Sequence, residues 1–197
     1  PITANNGTLL DNTATIIAVT DGSSEAQRSD SRRITVTSPA SLVLAKTTDT
    51  PLESEDSLFR FKVEYFNGTP VDIPLTDVID ILPYNGDNRN PASNFTGTYT
   101  INPLSFESTN GLAYYTNLTS ASIVNDPQHA SNAIPGGSTK WCTFSQFGTS
   151  GCPSGFTQVT GVRLVDSAIL AAKTSRTMSI ELIPTGNFGG ELYTNIA

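Results

Sequence analysis

Residues 59–65 alternate strictly between apolar and charged side chains. The apolar positions are aromatic or β-branched, and the charged ones stand between them: Phe59, Phe61, Val63 and Tyr65 alternate with Arg60, Lys62 and Glu64. Because successive side chains of a strand point to opposite faces, this period of two predicts a β-strand with one buried face. The same period recurs over 177–182 and predicts a second such strand. A core built on half-buried strands constrains the fold more than any other feature of the chain.

Composition extends this prediction to the whole chain of 197 residues. Charged residues make up 15%, and 15 Gly and 12 Pro punctuate a sequence rich in strand formers. Further strand regions are expected over 13–20, 32–37, 42–46, 71–82, 99–106, 159–165 and 192–197. Pro103 cannot donate a hydrogen bond to a neighbouring strand, so the strand region 99–106 is predicted to lie at a sheet edge. We expect 12–37 to form a hairpin, 108–154 to be mostly loop, and only 166–173 to be capable of a short helix.

Two eight-residue segments near opposite ends of the chain resemble each other. Residues 7–14 and 190–197, separated by 183 positions (190 minus 7), share a glycine, a leucine, an asparagine and the final alanine. Self-similarity at a fixed offset is typical of repeat proteins. We therefore expect the chain, which begins at Pro1, to be one period of a tandem array plus a small overlap, excised from a longer polypeptide.

The two cysteines, Cys142 and Cys152, lie ten residues apart around a segment with Gly and Ser. A local disulfide is expected, which implies an oxidising, extracellular setting. Free thiols are the alternative. A zinc site would need four Cys or His ligands, and the chain supplies only these two and His129.

Charge and motifs argue against several classes of function. The formal net charge is −7, so nucleic-acid binding is not expected. No apolar run reaches the ~20 residues that span a bilayer. His129 has no nucleophile motif around it, and no glycine-rich phosphate loop is found. We expect a protein that is not an enzyme.

Four segments carry a resemblance to a known family. They read Leu-Val-Leu-Ala-Lys-Thr at 42–47, Phe-Arg-Phe-Lys-Val-Glu-Tyr-Phe-Asn at 59–67, Val-Ile-Asp-Ile-Leu-Pro at 78–83 and Tyr-Thr-Asn-Ile-Ala at 193–197. Their order and spacing resemble the Ig-like conserved repeat domain, a domain of unknown function in large bacterial cell-surface and adhesin proteins. The resemblance covers nearly the whole chain and departs from the family in the long 108–154 insertion and at 67–69.

The resemblance implies an all-β, Ig-like antiparallel β-sandwich with a disulfide-containing loop insertion. It implies that 39–197 form one sandwich repeat without its closing hairpin. Residues 1–38 would be the closing hairpin of a preceding repeat, or an arm that donates strands to a neighbour.

The function implied is that of a structural module of a bacterial surface protein or secreted filament, stacking with copies of itself or adjacent repeats. The alternative is an adhesin module whose 108–154 insertion contacts glycan or protein. The aromatic residues that would form that contact are Trp141, Phe144, Phe147, Tyr114 and Tyr115.

Lys46 is the most informative single residue. By alternation it shares a face with Leu42 and Leu44. Burying a lysine ammonium in a core costs free energy unless the group is neutral, ion-paired or converted to a covalent bond. In related surface domains the corresponding lysine reacts with an asparagine to form an isopeptide bond, so the resemblance implies a bond from Lys46 to Asn195. The alternative is that Lys46 reaches water from the strand end. Because Asn12 corresponds to Asn195, a bond to a donated strand would be the intermolecular form.

The isopeptide reaction needs a buried acid as proton shuttle. The family motif indicates Asp80, which one β-bulge would turn inward. Strand alternation instead places Asp77 on the face of Ile73 and Ile79, and Glu64 on a polar face. We favour Asp80 and keep Asp77 as the second candidate.

No cofactor is expected. Calcium remains an alternative, because acidic, oxygen-rich loops suit that ion. Its candidate ligands are Asp21, Asp30, Asp80 and Asp87. None of them stands in EF-hand spacing.

Overall fold

The computed structural model describes residues 9–15, 29–35, 42–48 and 57–195. Within these ranges the chain is all-β. The ten strands are β1 Leu9–Thr15, β2 Ser29–Thr35, β3 Leu42–Thr48, β4 Phe59–Asn67, β5 Thr76–Ile81, β6 Thr98–Ile101, β7 Ser105–Phe106, β8 Gly111–Thr116, β9 Gly161–Asp166 and β10 Ser175–Thr185. Four three-residue 3-10 turns occupy Ser120–Ser122, Ala130–Asn132, Phe144–Gln146 and Phe156–Gln158. None of the helical segments described is long and apolar enough to cross a membrane.

The strands form three sheets, and every pair is antiparallel. The larger sheet has the order β3-β4-β10-β6, with β7 also paired to β10. A smaller sheet has the order β5-β9-β8, and β1 pairs with β2 in a separate hairpin. Both β6 and β7, which flank Pro103, pair with β10 alone among the described strands, so the predicted edge position is confirmed.

The larger and smaller sheets pack face to face across one hydrophobic core. Buried side chains from both belong to the same cluster, including Val63 of β4, Ile180 of β10, and Val162 and Leu164 of β9, all at most 1% exposed. Two antiparallel sheets that share one core define a β-sandwich, as the alternation predicted.

The 108–154 insertion covers the outer face of the smaller sheet. Ile79 of β5 packs there against Ile123 and Trp141, and all three are buried. The strand β5 is therefore buried on both faces.

The 108–154 insertion is mostly loop, as predicted, apart from β8 and three 3-10 turns. The strand β8 hydrogen-bonds to β9 over six residue pairs and so depends on a partner far along the chain. Residues 166–173 form no helix, because Leu170 pairs with Ile73 through two backbone hydrogen bonds of 2.8 and 3.0 Å. Local propensity indicates neither contact.

The predicted disulfide joins Cys142 to Cys152. The backbone of Cys142 exchanges two hydrogen bonds with that of Tyr115, at 2.8 and 2.9 Å, so the loop is fastened to β8. Beside it, Phe147 and Phe156 both pack edge-on against the Tyr115 ring. Among the described residues no cysteine is free.

The predicted N-terminal hairpin is present, with its strands starting earlier than expected. Antiparallel pairing runs from Leu9 opposite Thr35 to Thr15 opposite Ser29. The remainder of the predicted strand regions, 16–20 and 36–37, lies outside the described residues.

Removing the disulfide is expected to destabilise the sandwich without unfolding it. The bond closes a loop with a sequence separation of 10, and the loop-closure model assigns such a loop about 3 kcal/mol. A Cys142→Ser/Cys152→Ser variant should lose about that much free energy of unfolding in chemical denaturation. Reduced unaltered protein is the matched control. A loss well below 1 kcal/mol would show that packing against β8 alone holds the insertion.

Candidate functional site

Lys46 projects from β3 into the space between the sheets. In the β3–β4 ladder it stands opposite Val63, and Leu44 stands opposite Tyr65; both partners are buried residues of the core face. Directly opposed residues of an antiparallel pair share one face. The Lys46 side chain is only 8% exposed, so it does not reach water as a surface lysine at a strand end would.

The carboxylate of Asp80, on β5, forms an ion pair with the Lys46 ammonium group. The Asp80 side chain is fully buried, and its Oδ2 accepts a hydrogen bond from Lys46 Nζ. Asp77 lies on the opposite face of β5, where both of its oxygens accept hydrogen bonds from Arg163 at 2.8 and 2.6 Å. Of the two candidate acids, the structure brings Asp80 to Lys46 and places Asp77 elsewhere.

Asp80 points inward without the bulge that the sequence required. Because the insertion buries Ile79 on the outer face, that apolar residue does not mark the core side of β5. The core side is instead marked by Val78, which belongs to the main cluster and shares a face with Asp80. The alternation rule fails here since both faces of the strand are buried.

Burial changes the chemistry of Lys46. Desolvation lowers the pKa of its ammonium group to about 8, although the nearby Asp80 charge acts in the opposite direction. The Phe61 ring lies on one side, with Nζ 5.3 Å from its centroid. An amine in these surroundings loses its proton far more readily than a lysine in water.

Asn195 carries a primary amide with no hydrogen bond. Both its Nδ2 and Oδ1 are buried and have no partner among the described residues, and the same holds for Asp80 Oδ1. Leaving a buried polar group unpaired costs about 1–3 kcal/mol. An amide with both of its polar atoms buried and unpaired calls for a specific explanation.

One arginine links the neighbours of Asn195 and Asp80. Arg89 Nη2 donates to the Ile81 carbonyl oxygen at 2.6 Å, and its Nη1 donates to the Thr194 carbonyl oxygen. A single guanidinium therefore joins the residue after Asp80 to the residue before Asn195. Sequence reasoning missed Arg89, whose only signal is a position in the turn-rich segment 84–94.

The loop that presents Arg89 also holds the C-terminal segment. Ser93 Oγ accepts the Thr194 N–H at 3.0 Å, and Asp87 accepts the Ser93 hydroxyl and N–H at 2.5 and 3.0 Å. Tyr193 stacks on Phe95 with ring centroids 4.3 Å apart. These contacts fix the backbone that carries Asn195.

The aromatic residues of the insertion lie in different surroundings. Trp141 is 6% exposed, and its Nε1 donates to Asn132 Oδ1 at 3.1 Å. Tyr115 is also buried, Tyr114 and Phe147 are half-buried, and Phe144 is 62% exposed. Ligand contact by this group stays a prediction that rests mainly on Phe144.

The two calcium candidates whose side chains are described, Asp80 and Asp87, lie in separate contacts, and the side chain of Asp30 is not among those described. In the described part of the chain, no three His, Cys, Asp or Glu side chains cluster as metal ligands. Asp80 faces Lys46 and Asp87 binds Ser93. Asp21 lies outside the described residues.

Comparison with known proteins adds no relative to this description. A scan against protein-family models, a search of curated proteins and a search of solved structures each found no match.

The lowered pKa of Lys46 predicts how stability depends on pH when the lysine is left unreacted. An Asn195→Ala variant keeps the Lys46–Asp80 pair, with a folded pKa of about 8 against about 10.4 in the unfolded chain. Between these values the unfolded state holds a proton that the folded state lacks, so the free energy of unfolding rises with pH.

Denaturation between pH 8 and 9.5 should show this rise, by up to about 1.4 kcal/mol per pH unit. The reference is the triple variant Asn195→Ala/Lys46→Met/Asp80→Asn, in which neither group titrates. Parallel pH profiles for the two proteins would contradict the assigned shift.

Proposed function

We propose that this chain is a non-enzymatic structural module of a secreted bacterial surface protein or extracellular filament, locked by an amide bond between Lys46 and Asn195. One observation carries the proposal: Lys46 and Asp80 pair between the sheets, and Arg89 ties Thr194, the residue before Asn195, to the end of β5. The side-chain amide of Asn195 is buried without a hydrogen-bond partner among the described residues. Amine, acid and primary amide are the three groups that such a bond needs.

The reaction follows from the burial of these groups. Proton transfer from Lys46 to Asp80 converts an ion pair into two neutral groups, which a desolvated site favours. The neutral Nζ then attacks the Asn195 side-chain carbonyl carbon, while the Asp80 acid donates a hydrogen bond to the carbonyl oxygen. The Asp80 acid passes its proton to that oxygen as the tetrahedral intermediate forms, and the resulting carboxylate takes a proton from the attacking nitrogen and delivers it to the leaving amide nitrogen. When the carbonyl re-forms, its oxygen returns the proton to Asp80, which ends as the neutral acid. An Nζ–C bond replaces a C–Nδ2 bond, one ammonia leaves, and Asp80 is regenerated.

Such a bond would suit a module that bears load. It would join β3, an edge strand held to β4 by ladder hydrogen bonds, to the segment that follows the last strand of the larger sheet. Tension between the two ends of the sandwich would then pass through a covalent bond. The fold would resist mechanical unfolding and proteolysis.

Two further observations support this setting. The Cys142–Cys152 disulfide is typical of secreted proteins. The sandwich, together with the four sequence segments that resemble the Ig-like repeat domain, agrees with a repeat of a surface protein. Extracellular localisation is part of the proposal.

The adhesin alternative rests on the exposed ring of Phe144, which stacks on Phe156 at 5.3 Å. The burial of Trp141 and Tyr115 leaves little further aromatic surface for a ligand. We therefore favour the structural module.

Intact mass spectrometry tests the proposed amide bond between Lys46 and Asn195, which we call the lock. The unaltered chain should be lighter than its sequence mass by one ammonia, beyond the two hydrogens of the disulfide. Lys46→Ala and Asn195→Ala should each retain the full mass, because one reacting group is missing. Peptide mapping should locate the cross-link between the peptides that contain these residues.

Asp80→Asn and Asp77→Asn form a matched pair of isosteric variants. Asp80→Asn should block the ammonia loss, since it removes the proton shuttle, and Asp77→Asn should preserve it. Full mass in the folded, unaltered chain would refute the lock. Equal ammonia loss in both variants would refute the role of Asp80.

A further inference from the structure

The two sheets of the sandwich differ in width, and the difference exposes part of the core face. Leu42 and Leu44 stand opposite Asn67 and Tyr65 in the ladder, and both partners are at most 1% exposed. The two leucines share that face but are 51% and 41% exposed. The larger sheet has five strands and the smaller has three, so β3 extends beyond what the smaller sheet covers.

The strand β5 has an open edge on the same side of the sandwich. It pairs with β9, and no other described strand pairs with it. At the far edge of this sheet, β8 is partly covered, because Tyr115 pairs with Cys142. The Lys46–Asp80 contact brings β3 and β5 together, so the exposed leucines and the open edge belong to one region. An unpaired edge beside apolar surface is a template for an added strand.

The β1–β2 hairpin has the complementary properties. Its strands pair with each other and with no other strand that the structure describes, and every hairpin residue with described burial is exposed. Its faces differ: Leu10 and Ile34 are paired on one, and an Asp11–Arg33 ion pair of 2.7 Å occupies the other. A lone two-stranded ribbon is marginally stable in water. Its two strands would bring the smaller sheet to the width of the larger.

The internal similarity indicates which strand belongs at this edge. Residues 7–14, which include most of β1, match 190–197. Arg89 holds Thr194 of that second segment beside Ile81, the last residue of β5. That contact lies at the C-terminal end of β5, and no described strand pairs with the edge along 76–80. We assign this free part of the edge to β1, whose sequence resembles the segment that reaches its end.

We propose that the β1–β2 hairpin of one copy docks on the open edge of a second copy. β1 adds to β5, and the Leu10–Ile34 face covers Leu42 and Leu44. This inference rests on the proposed function, because it identifies the partner of the structural module as another copy of the chain. Donor and acceptor surfaces are different parts of the molecule, so the contact is head-to-tail and can extend into a filament.

Four single variants of the full chain test the two surfaces by sedimentation velocity. The unaltered chain should self-associate as its concentration rises. Leu10→Glu on the hairpin and Leu42→Glu on β3 should each weaken association by about tenfold or more, the effect of placing a charge in an apolar contact. Thr13→Glu and Thr47→Glu add the same charge to the opposite faces of β1 and β3 and should leave association unchanged.

Mixing the two defective variants makes the test directional. The Leu10→Glu copy retains an intact acceptor edge, and the Leu42→Glu copy retains an intact hairpin. At a concentration where the unaltered chain associates and each variant alone stays mainly monomeric, an equimolar mixture should form 1:1 dimers that do not grow. Far-ultraviolet circular dichroism and melting temperature should confirm that each variant is folded.

Three outcomes would overturn the proposal: an unaltered chain that stays monomeric at high concentration, variants that associate as the controls do, or a mixture that stays monomeric. A monomer whose β5 amides are protected from hydrogen exchange would mean that the hairpin covers the edge of its own chain. The ammonia loss, measured on the same samples, reports the lock separately. Association without ammonia loss refutes only the lock, and ammonia loss without association refutes only the docking.

Discussion

Burial of opposite charges between the two sheets constrains this structure more than any other interaction. Lys46 and Asp80 are both withdrawn from water, and neither is tolerable there without the other. Their pairing fixes how β3 sits over β5 and therefore how the sheets meet. The cost of a buried pair usually exceeds its attraction, so it is weak evidence for stability alone. Conversion to a neutral amide would remove that cost, which links the energetics of the core to the proposed lock.

Two further sets of contacts stabilise the region around Lys46 and Asp80. On one side, Arg89 and the Tyr193–Phe95 stack hold the segment that carries Asn195. On the other, the insertion covers the outer face of β5 with Ile123 and Trp141, so Asp80 lies on a strand with little access to water. The disulfide and the pairing of Cys142 with Tyr115 keep the insertion in place. The feature that departs most from the family resemblance thus encloses the candidate site.

Sequence reasoning worked best where one face of a strand meets water. The alternation over 59–65 predicted strand β4 and which of its faces is buried. Both predictions are confirmed, because Phe61, Val63 and Tyr65 all lie in the core. It was least informative for β5, where apolar residues on both faces conceal which side faces the core. There the family motif, and not the alternation, indicated Asp80. Residues 166–173, the segment judged capable of a short helix, form none because Leu170 pairs with distant Ile73, a contact that local propensity does not encode.

The sequence alone predicted the all-β class, favoured a disulfide between the two cysteines, and placed Lys46 in step with Leu42 and Leu44 while leaving open whether its side chain reaches water. Each follows from local spacing: a period of two, two cysteines ten residues apart, and a lysine in step with Leu42 and Leu44. Folding adds what no local pattern gives: Asp80 meets Lys46, Arg89 holds Thr194, one edge of β5 has no described strand paired with it, and Leu42 stays exposed. Those outcomes depend on which distant segments pack together and on the unequal width of two sheets, and no local pattern specifies either.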